Sequence, residues 1–291
     1  MQVFLVDGTY ELFRHYYAVP RYADKQGREV GAVRGVLNSL LTLLEEGATH
    51  VGVATDHVVE SFRNELYEGY KTGEGIEEPL HSQFEILEEV LESAGFRVWP
   101  MVEYEADDAI ATAAALAEAD SRVERVWVCS PDKDFAQCVR GKRVVILDRK
   151  RGIILDEKAI LGKFGVPPDS IPDYLALIGD SADGFPGLKG WGASSTAAML
   201  SAYQHIEAIP SYAKDWSVKL RDADRLAQTL LAGRDEALLY RRLATLAVDV
   251  PDLGEIDDLV WTGPRGDFQA QCRVINAPRA AERVTRLIKH I

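Results

Sequence analysis

Five short runs rich in β-branched residues, QVFLVD, THVGVATD, FRVWP, RVWVCS and KRVVILD, are separated by stretches with apolar residues at helical spacing. One such stretch carries Val33, Val36, Leu37, Leu40, Leu41 and Leu44, and another carries Phe84, Leu87, Leu91 and Ala94. Strands alternating with amphipathic helices imply an α/β fold with a mainly parallel, doubly wound sheet. In open sheets of this kind, sites form beyond the carboxyl ends of the strands. From about residue 157 the pattern turns mostly helical, with loops rich in Pro and Gly, and the chain ends in LIKHI. The expected division is an α/β domain over 1–156 and a helical subdomain over 157–291. Between Tyr67 and Pro79, YEGYKTGEGIEEP has little apolar content and reads as a mobile loop.

Five acidic motifs stand where strands are expected to end or helices to begin. They supply Asp7 in VFLVDGTY, Asp56 in VGVATDH, Glu105, Asp107 and Asp108 in VEYEADDA, Asp132 and Asp134 in SPDKD, and Asp180 and Asp183 in GDSADGFPG. Each has an ordinary explanation. Asp7 alone equally caps a turn, and the acids of EADDA suit a helix N-terminus, where they cap free N–H groups and favour the helix dipole. A functional role for EADDA rests on Glu105 and Asp107 alternating before the helix starts, so that both point one way. In SPDKD, Asp132 and Asp134 are expected on one side, with Lys133 facing away. A phosphatase of the haloacid-dehalogenase type would want a second Asp two residues after Asp7, where Thr9 stands.

If the motifs converge, nine carboxylates crowd together, and each raises the pKa of the next unless a cation holds them ionised. Side chains dispersed over the surface, or engaged by lysines and arginines, would contradict that expectation. Oxygen donors with neither His nor Cys select Mg²⁺ or Mn²⁺ over zinc. Two such ions can activate a water and stabilise a leaving oxygen, which points to phosphodiester hydrolysis.

Composition sets the remaining bounds. The chain has 291 residues, 47% of them hydrophobic, enough for a full core and an appendage. Its net charge of −13, from 33 basic and 46 acidic residues, would by itself argue against nucleic acid. Neutralising the nine proposed ligands would bring −13 to −4, so the balance excludes nothing. Cys129, Cys138 and Cys272 lack metal-like spacing and read as reduced core residues. No signal peptide or membrane span is evident, and the expected location is cytoplasmic.

The second strong signal is GDSADGFPGLKGWGASSTAAML. Gly187, Gly190 and Gly192 punctuate a tight turn between helices, and a small polar run including Ser194 and Ser195 opens the next helix with N–H groups free to face an anion. Such a turn, with Lys189 beside it, holds a nucleic-acid backbone without reading bases; the plain alternative is an ordinary helix connection. Arg14, Arg63 and Lys71 are candidate phosphate ligands, although any one of them suits a solvated surface. Tyr67 and Tyr70 are placed to stack on an unpaired base or, equally, to pack in the core.

VDGTYELFR, SFRNELYEGYK, EYEADD, SPDKD and GDSADGFPGLKGWG occur together in one order. In this the chain resembles the 5′-to-3′ exonuclease and flap endonuclease family, which includes the nuclease domain at the start of many bacterial DNA polymerase I chains. The resemblance covers roughly residues 1–250 and implies a free-standing member with a PIN-like sheet. It further implies a divalent-metal 5′ nuclease acting on DNA at 5′ ends, flaps or nicks. By the same resemblance, Asp7, Asp56, Glu105 and Asp107 hold one metal, and Asp132, Asp134 and Asp183 the other, with Asp108 and Asp180 nearby, acting through water. Arg14, Arg63 and Lys71 match basic residues beside the scissile phosphate. The turn near 184–200 becomes a helix-hairpin-helix-like duplex clamp, where backbone carbonyls often bind K⁺.

Three departures bear on substrate affinity. Gly184 stands where the family usually has Asn, Ser194 where Lys is common, and Glu74, Glu77 and Glu78 follow Lys71 where small and basic residues are usual. With few basic contacts remaining, a shallow salt dependence is expected, about 0.9 per neutralised phosphate. Two other readings stand beside the nuclease: a non-catalytic DNA-structure binder that kept the fold, and a PIN-type ribonuclease acting on RNA.

Overall fold

A computed structural model describes residues 1–289, so the last two residues of the helical subdomain expected over 157–291 lie outside the described residues. The chain forms two compact units, one of residues 1–61, 73–130 and 247–289, the other of residues 62–72 and 131–246.

In the first unit, β1 (Gln2–Asp7), β2 (His50–Asp56), β3 (Arg97–Met101) and β4 (Arg125–Cys129) pair in parallel, in the order β3-β2-β1-β4. Register sets Asp7 opposite Ala54, so Asp56 extends two residues further at the same strand end. Val3, Leu5 and Val6 of the central β1 are fully buried, as a strand covered on both faces requires. The crossover helices are α1 (Gly8–Ala18), α2 (Gly31–Glu45), a short α4 (Glu78–His81), α5 (Gln83–Ser93) and α6 (Ala106–Ala119). All six apolar positions expected on α2 are buried, each contributing roughly 1.5–3 kcal/mol. The Ala run of α6 combines high helix propensity with side chains small enough to lie close to β1, β2 and β3. Near the C-terminus, α12 (Phe268–Val274) packs on α5 and α13 (Pro278–Ile288) on α2.

The second unit holds α3 (Phe62–Leu66), the antiparallel pair β5 (Val144–Asp148) and β6 (Ile153–Leu155), and the helices α7 (Glu157–Phe164), α8 (Ile171–Ile178), α9 (Ala193–Tyr203), α10 (Ala223–Ala232) and α11 (Arg234–Ala244). Local signals fix their ends. Asp156 caps α7 through Ala159 N at 2.9 Å, and Gly165 closes it in the left-handed region. Helix α8 packs on α9 and α11. Among the described residues no helix is long and apolar enough to cross a membrane.

Candidate metal centres and phosphate contacts

The first unit gathers its acids at the carboxyl ends of β1 and β2 and the N-terminus of α6. Asp7 ends β1 and caps α1: Oδ1 accepts from Tyr10 N at 2.8 Å, and Oδ2 from the Ser130 hydroxyl at 2.9 Å. Asp56 ends β2; its N–H donates to Thr9 Oγ1 at 2.8 Å and its Oδ1 accepts from Ala106 N at 2.7 Å, which joins the strand end to α6. Glu105 accepts the Ser61 hydroxyl at 2.7 Å. Two expectations change here. Asp107 does not precede the helix with Glu105 but lies in its first turn. Asp108, fully buried, accepts from Glu105 N at 3.0 Å and from Ala247 N at 2.8 Å, so this acid fixes backbone as a capping-box residue.

Neighbours that pattern reading misses hold these acids in place. Buried Glu88, on α5, accepts from Thr55 Oγ1 at 2.7 Å and lies 2.7 Å from His57 Nδ1, bracketing Asp56. Its signal is an acid on the buried side of an amphipathic helix. Ser61 and Ser130 give only a hydroxyl close to a strand or helix end. Arg14 bonds Glu11 at 2.5 Å and lies 2.9 Å from His15 Nε2.

The second unit brings together Asp134, Asp180 and Asp183, all buried, with one carboxylate oxygen of each within 4.8 Å of the others. Asp134 opens a 3₁₀ turn over Asp134–Cys138, and its N–H donates to Asp132 Oδ1 at 2.9 Å. Asp180 and Phe185 exchange backbone hydrogen bonds of 2.8 and 3.1 Å, closing the turn that carries both later acids. Phe185 stacks on Tyr240 at 5.5 Å and holds that turn against α11.

Lys133 does not face away, as expected from SPDKD: its Nζ lies 2.6 Å from Asp180 Oδ2. Burial alone would lower its pKa, but the hydrogen bond to Asp180 and the charges of Asp180, Asp134 and Asp132 raise it. Lys71 Nζ similarly lies 3.2 Å from Asp183 Oδ1. Two of the acids are therefore engaged by lysines, contrary to expectation, while Asp134 is not relieved. Its Oδ1 is buried without a hydrogen-bond partner. Burial first, then the charges of Asp132, Asp183 and Asp180, push its carboxyl well above the usual range, and Lys133 only partly offsets them.

These donors fit a hard divalent cation. They are all carboxylate oxygens, one lacks a partner, and ~2.1 Å bonds would separate opposite oxygens by about 4.2 Å, so small shifts suffice.

The remaining residues sort by exposure. Arg63 is 1% exposed and donates to the carbonyls of Leu243 at 2.8 Å and Thr245 at 3.0 Å, a structural task rather than the expected phosphate contact. Tyr70 is buried, so it packs instead of offering a face to a base, and Tyr67 meets Tyr240 edge-on at 5.7 Å. Gly184, at φ +87°, follows from packing: a β-carbon there would sit 2.1 Å from the Gly69 carbonyl oxygen, beside the Lys71 N to Asp183 O bond of 3.0 Å. Gly187 likewise admits no β-carbon, which would lie 2.3 Å from Gly179 N. Lys189, Gly190, Gly192 and Ser194 are exposed. Ser195 accepts from Gly192 N at 3.1 Å and donates to Gly192 O at 3.0 Å, so it caps α9, and the N–H of Gly192 is not free for an anion.

Comparison with known proteins extends this picture. Residues 2–165 match the 5′-3′ exonuclease N-terminal resolvase-like domain, and residues 166–267 the 5′-3′ exonuclease C-terminal SAM fold. A 5′-3′ exonuclease of Aquifex aeolicus is 31% identical over 259 residues, covering 88% of this chain and 85% of that protein. The DNA polymerase I of Pseudomonas aeruginosa is 33% identical over 265 residues, 88% of this chain but only 28% of that protein's length. Among solved structures, the T5 D15 protein co-crystallised with metal ions superposes with a TM-score of 0.68 at 15% identity, covering 99% of both chains. The catalytic core of Rad2 in complex with DNA substrate gives 0.65 at 16% identity, covering 99% of this chain and 92% of that one. Its mainly parallel sheet, its helical C-terminal match and its identity to whole exonuclease chains place this protein in the 5′-3′ exonuclease family.

Proposed function

We propose that the protein is a divalent-metal-dependent 5′ nuclease that hydrolyses phosphodiester bonds in DNA at 5′ ends, flaps or nicks. The observation carrying this reading is the buried carboxylate triad with its unpartnered Asp134 oxygen, in a chain of this family. Asp7, Asp56, Glu105 and Asp107 are the proposed ligands of one ion, and Asp132, Asp134 and Asp183 of another, with Mg²⁺ or Mn²⁺ as the ions. Bound ions of this class supply Lewis acidity, lowering the pKa of an attacking water and stabilising charge on the leaving oxygen.

The chain's own residues do the rest. Ser61, Ser130 and the Ala106 N–H fix the rotamers of Glu105, Asp7 and Asp56, so little reorganisation is needed when charge develops. Lys71 and Lys133, already beside the acids, offer cationic contacts to phosphate oxygens, as does Arg14. The Gly187–Gly192 turn, Lys189 and the exposed first turn of α9 are the proposed duplex clamp, with K⁺ a candidate ion on the turn's carbonyls. In this reading residues 1–156, joined by Asp183, carry catalysis, the rest of residues 157–291 holds the duplex, and the protein works in the cytoplasm.

The test is a 5′-labelled flap substrate incubated with Mn²⁺. The wild type is expected to shorten it and Asp132→Asn to bind without cutting. A shift without shortening by the wild type would identify a DNA-structure binder, and preferential cutting of single-stranded RNA a PIN-type ribonuclease.

A further inference from the structure

Both family matches end by residue 267, and the residues that follow are basic in an acidic chain. Residues 268–289 hold Arg273, Arg279, Arg283, Arg286 and Lys289 against Glu282 alone, a net charge of +4, in a chain whose total is −13; the remainder carries −17. These residues form α12 and α13, which bury Phe268, Cys272, Ala280 and Val284 and turn their basic side outward.

The basic residues of α13 divide into an anchor and a face. Arg283 is the anchor: Nε and Nη2 donate to Glu45 at 2.8 and 2.7 Å, Nη1 to Asn38 Oδ1 at 3.0 Å, and Nη2 to Thr42 Oγ1 at 2.8 Å, all on α2. Arg279 and Arg286, four residues before and three after, share its side of the helix. Both are exposed, as are Arg273 and Lys289, and none of the four is in an ion pair among the described residues. Seven residues of helix place Arg279 and Arg286 about 10 Å apart along the axis.

We propose that the exposed face of α13, extended by Arg273 and Lys289, is a docking surface for the sugar-phosphate backbone of duplex DNA. DNA as the partner rests on the nuclease reading above; the surface itself rests on charge and exposure. Contacts to phosphates carry no sequence information, so the surface positions the protein on any duplex.

The experiment measures binding of the full chain to a fluorescent blunt duplex over a range of NaCl. Arg279→Gln with Arg286→Gln should make the slope of log Kobs against log salt shallower by about 1.8, two phosphate contacts at ~0.9 each. Glu282→Gln should tighten binding, and Arg279→Lys with Arg286→Lys should restore the wild-type slope, which separates lost charge from a damaged helix. Unchanged slopes in the Gln variant would overturn the proposal. So would loss of binding to phosphatidylserine vesicles with the duplex slope intact, since the surface would then face a membrane. Cleavage of the flap at low salt, assayed in parallel, should persist in the Gln variant. A wild type that never cleaves would remove the nuclease reading and leave the slope comparison to decide the surface.

Discussion

Asp134 and Asp108 are both buried aspartates at the start of a helical turn, yet their surroundings assign them opposite work. Asp108 has an N–H donor for each oxygen, whereas Asp134 keeps a buried oxygen with none. Asp108→Ala should therefore destabilise the fold by roughly 1–3 kcal/mol for each N–H left unsatisfied, read as a lower Tm. Asp134→Asn should instead keep or raise the metal-free Tm, because it removes a charge from a crowded site. Gly184→Ala tests the close approach of the 69–71 backbone: with φ at +87° and the Gly69 oxygen in the way, a loss of about 1–3 kcal/mol is expected. An unchanged Tm would mean that this contact is loose. Residue types and strand-end positions made the acids legible in sequence. The division of labour between Asp107 and Asp108 was not, because it depends on Ala247, far along the chain. Lys133 was misread for a similar reason: its partner, Asp180, belongs to another segment.

At the scale of elements, the parallel strands could be read because each is a β-branched run long enough to exceed its flanks in apolar content. β6, three residues with Ile153 and Ile154 half exposed, offers no such contrast. The short α4 was hidden in a stretch read for its acids, of which Glu77 accepts from Tyr16 at 3.1 Å and Arg21 at 3.3 Å. The start of α9 was visible as a Gly-rich turn, but the way Ser195 closes onto Gly192 was not. Removing that closure by Ser195→Ala should cost about 0.5–1 kcal/mol of stability. It should also free the Gly192 N–H, so duplex affinity should hold or rise. A large fall in affinity with unchanged Tm would mean that the hydroxyl itself touches DNA.

For the whole molecule, the acidic balance is a consequence of its chemistry, and pH exposes it. The Asp134 pKa is raised in the metal-free fold, so its contribution to stability is fully present below the ordinary aspartate range and is lost as pH rises through the raised value. Relative to Asp134→Asn, the metal-free wild type should thus lose Tm as pH rises over that window, and saturating Mn²⁺ should flatten the difference, measured by scanning calorimetry with and without chelator. From sequence the acids were expected to need a cation if they converged; only the fold pairs Asp180 with Lys133 and Asp183 with Lys71 and leaves a buried Asp134 oxygen without a partner. Calorimetric titration of Mn²⁺ at a series of pH values rising from the ordinary aspartate range, in buffers of different ionisation enthalpy, tests this most directly. At the pH values where its raised carboxyl still holds a proton, wild type should release that proton as Mn²⁺ binds, because a ligand must be deprotonated, and Asp134→Asn should bind more weakly without that release. Equal Mn²⁺ affinity and equal proton release in the two proteins would contradict a metal centre at Asp134.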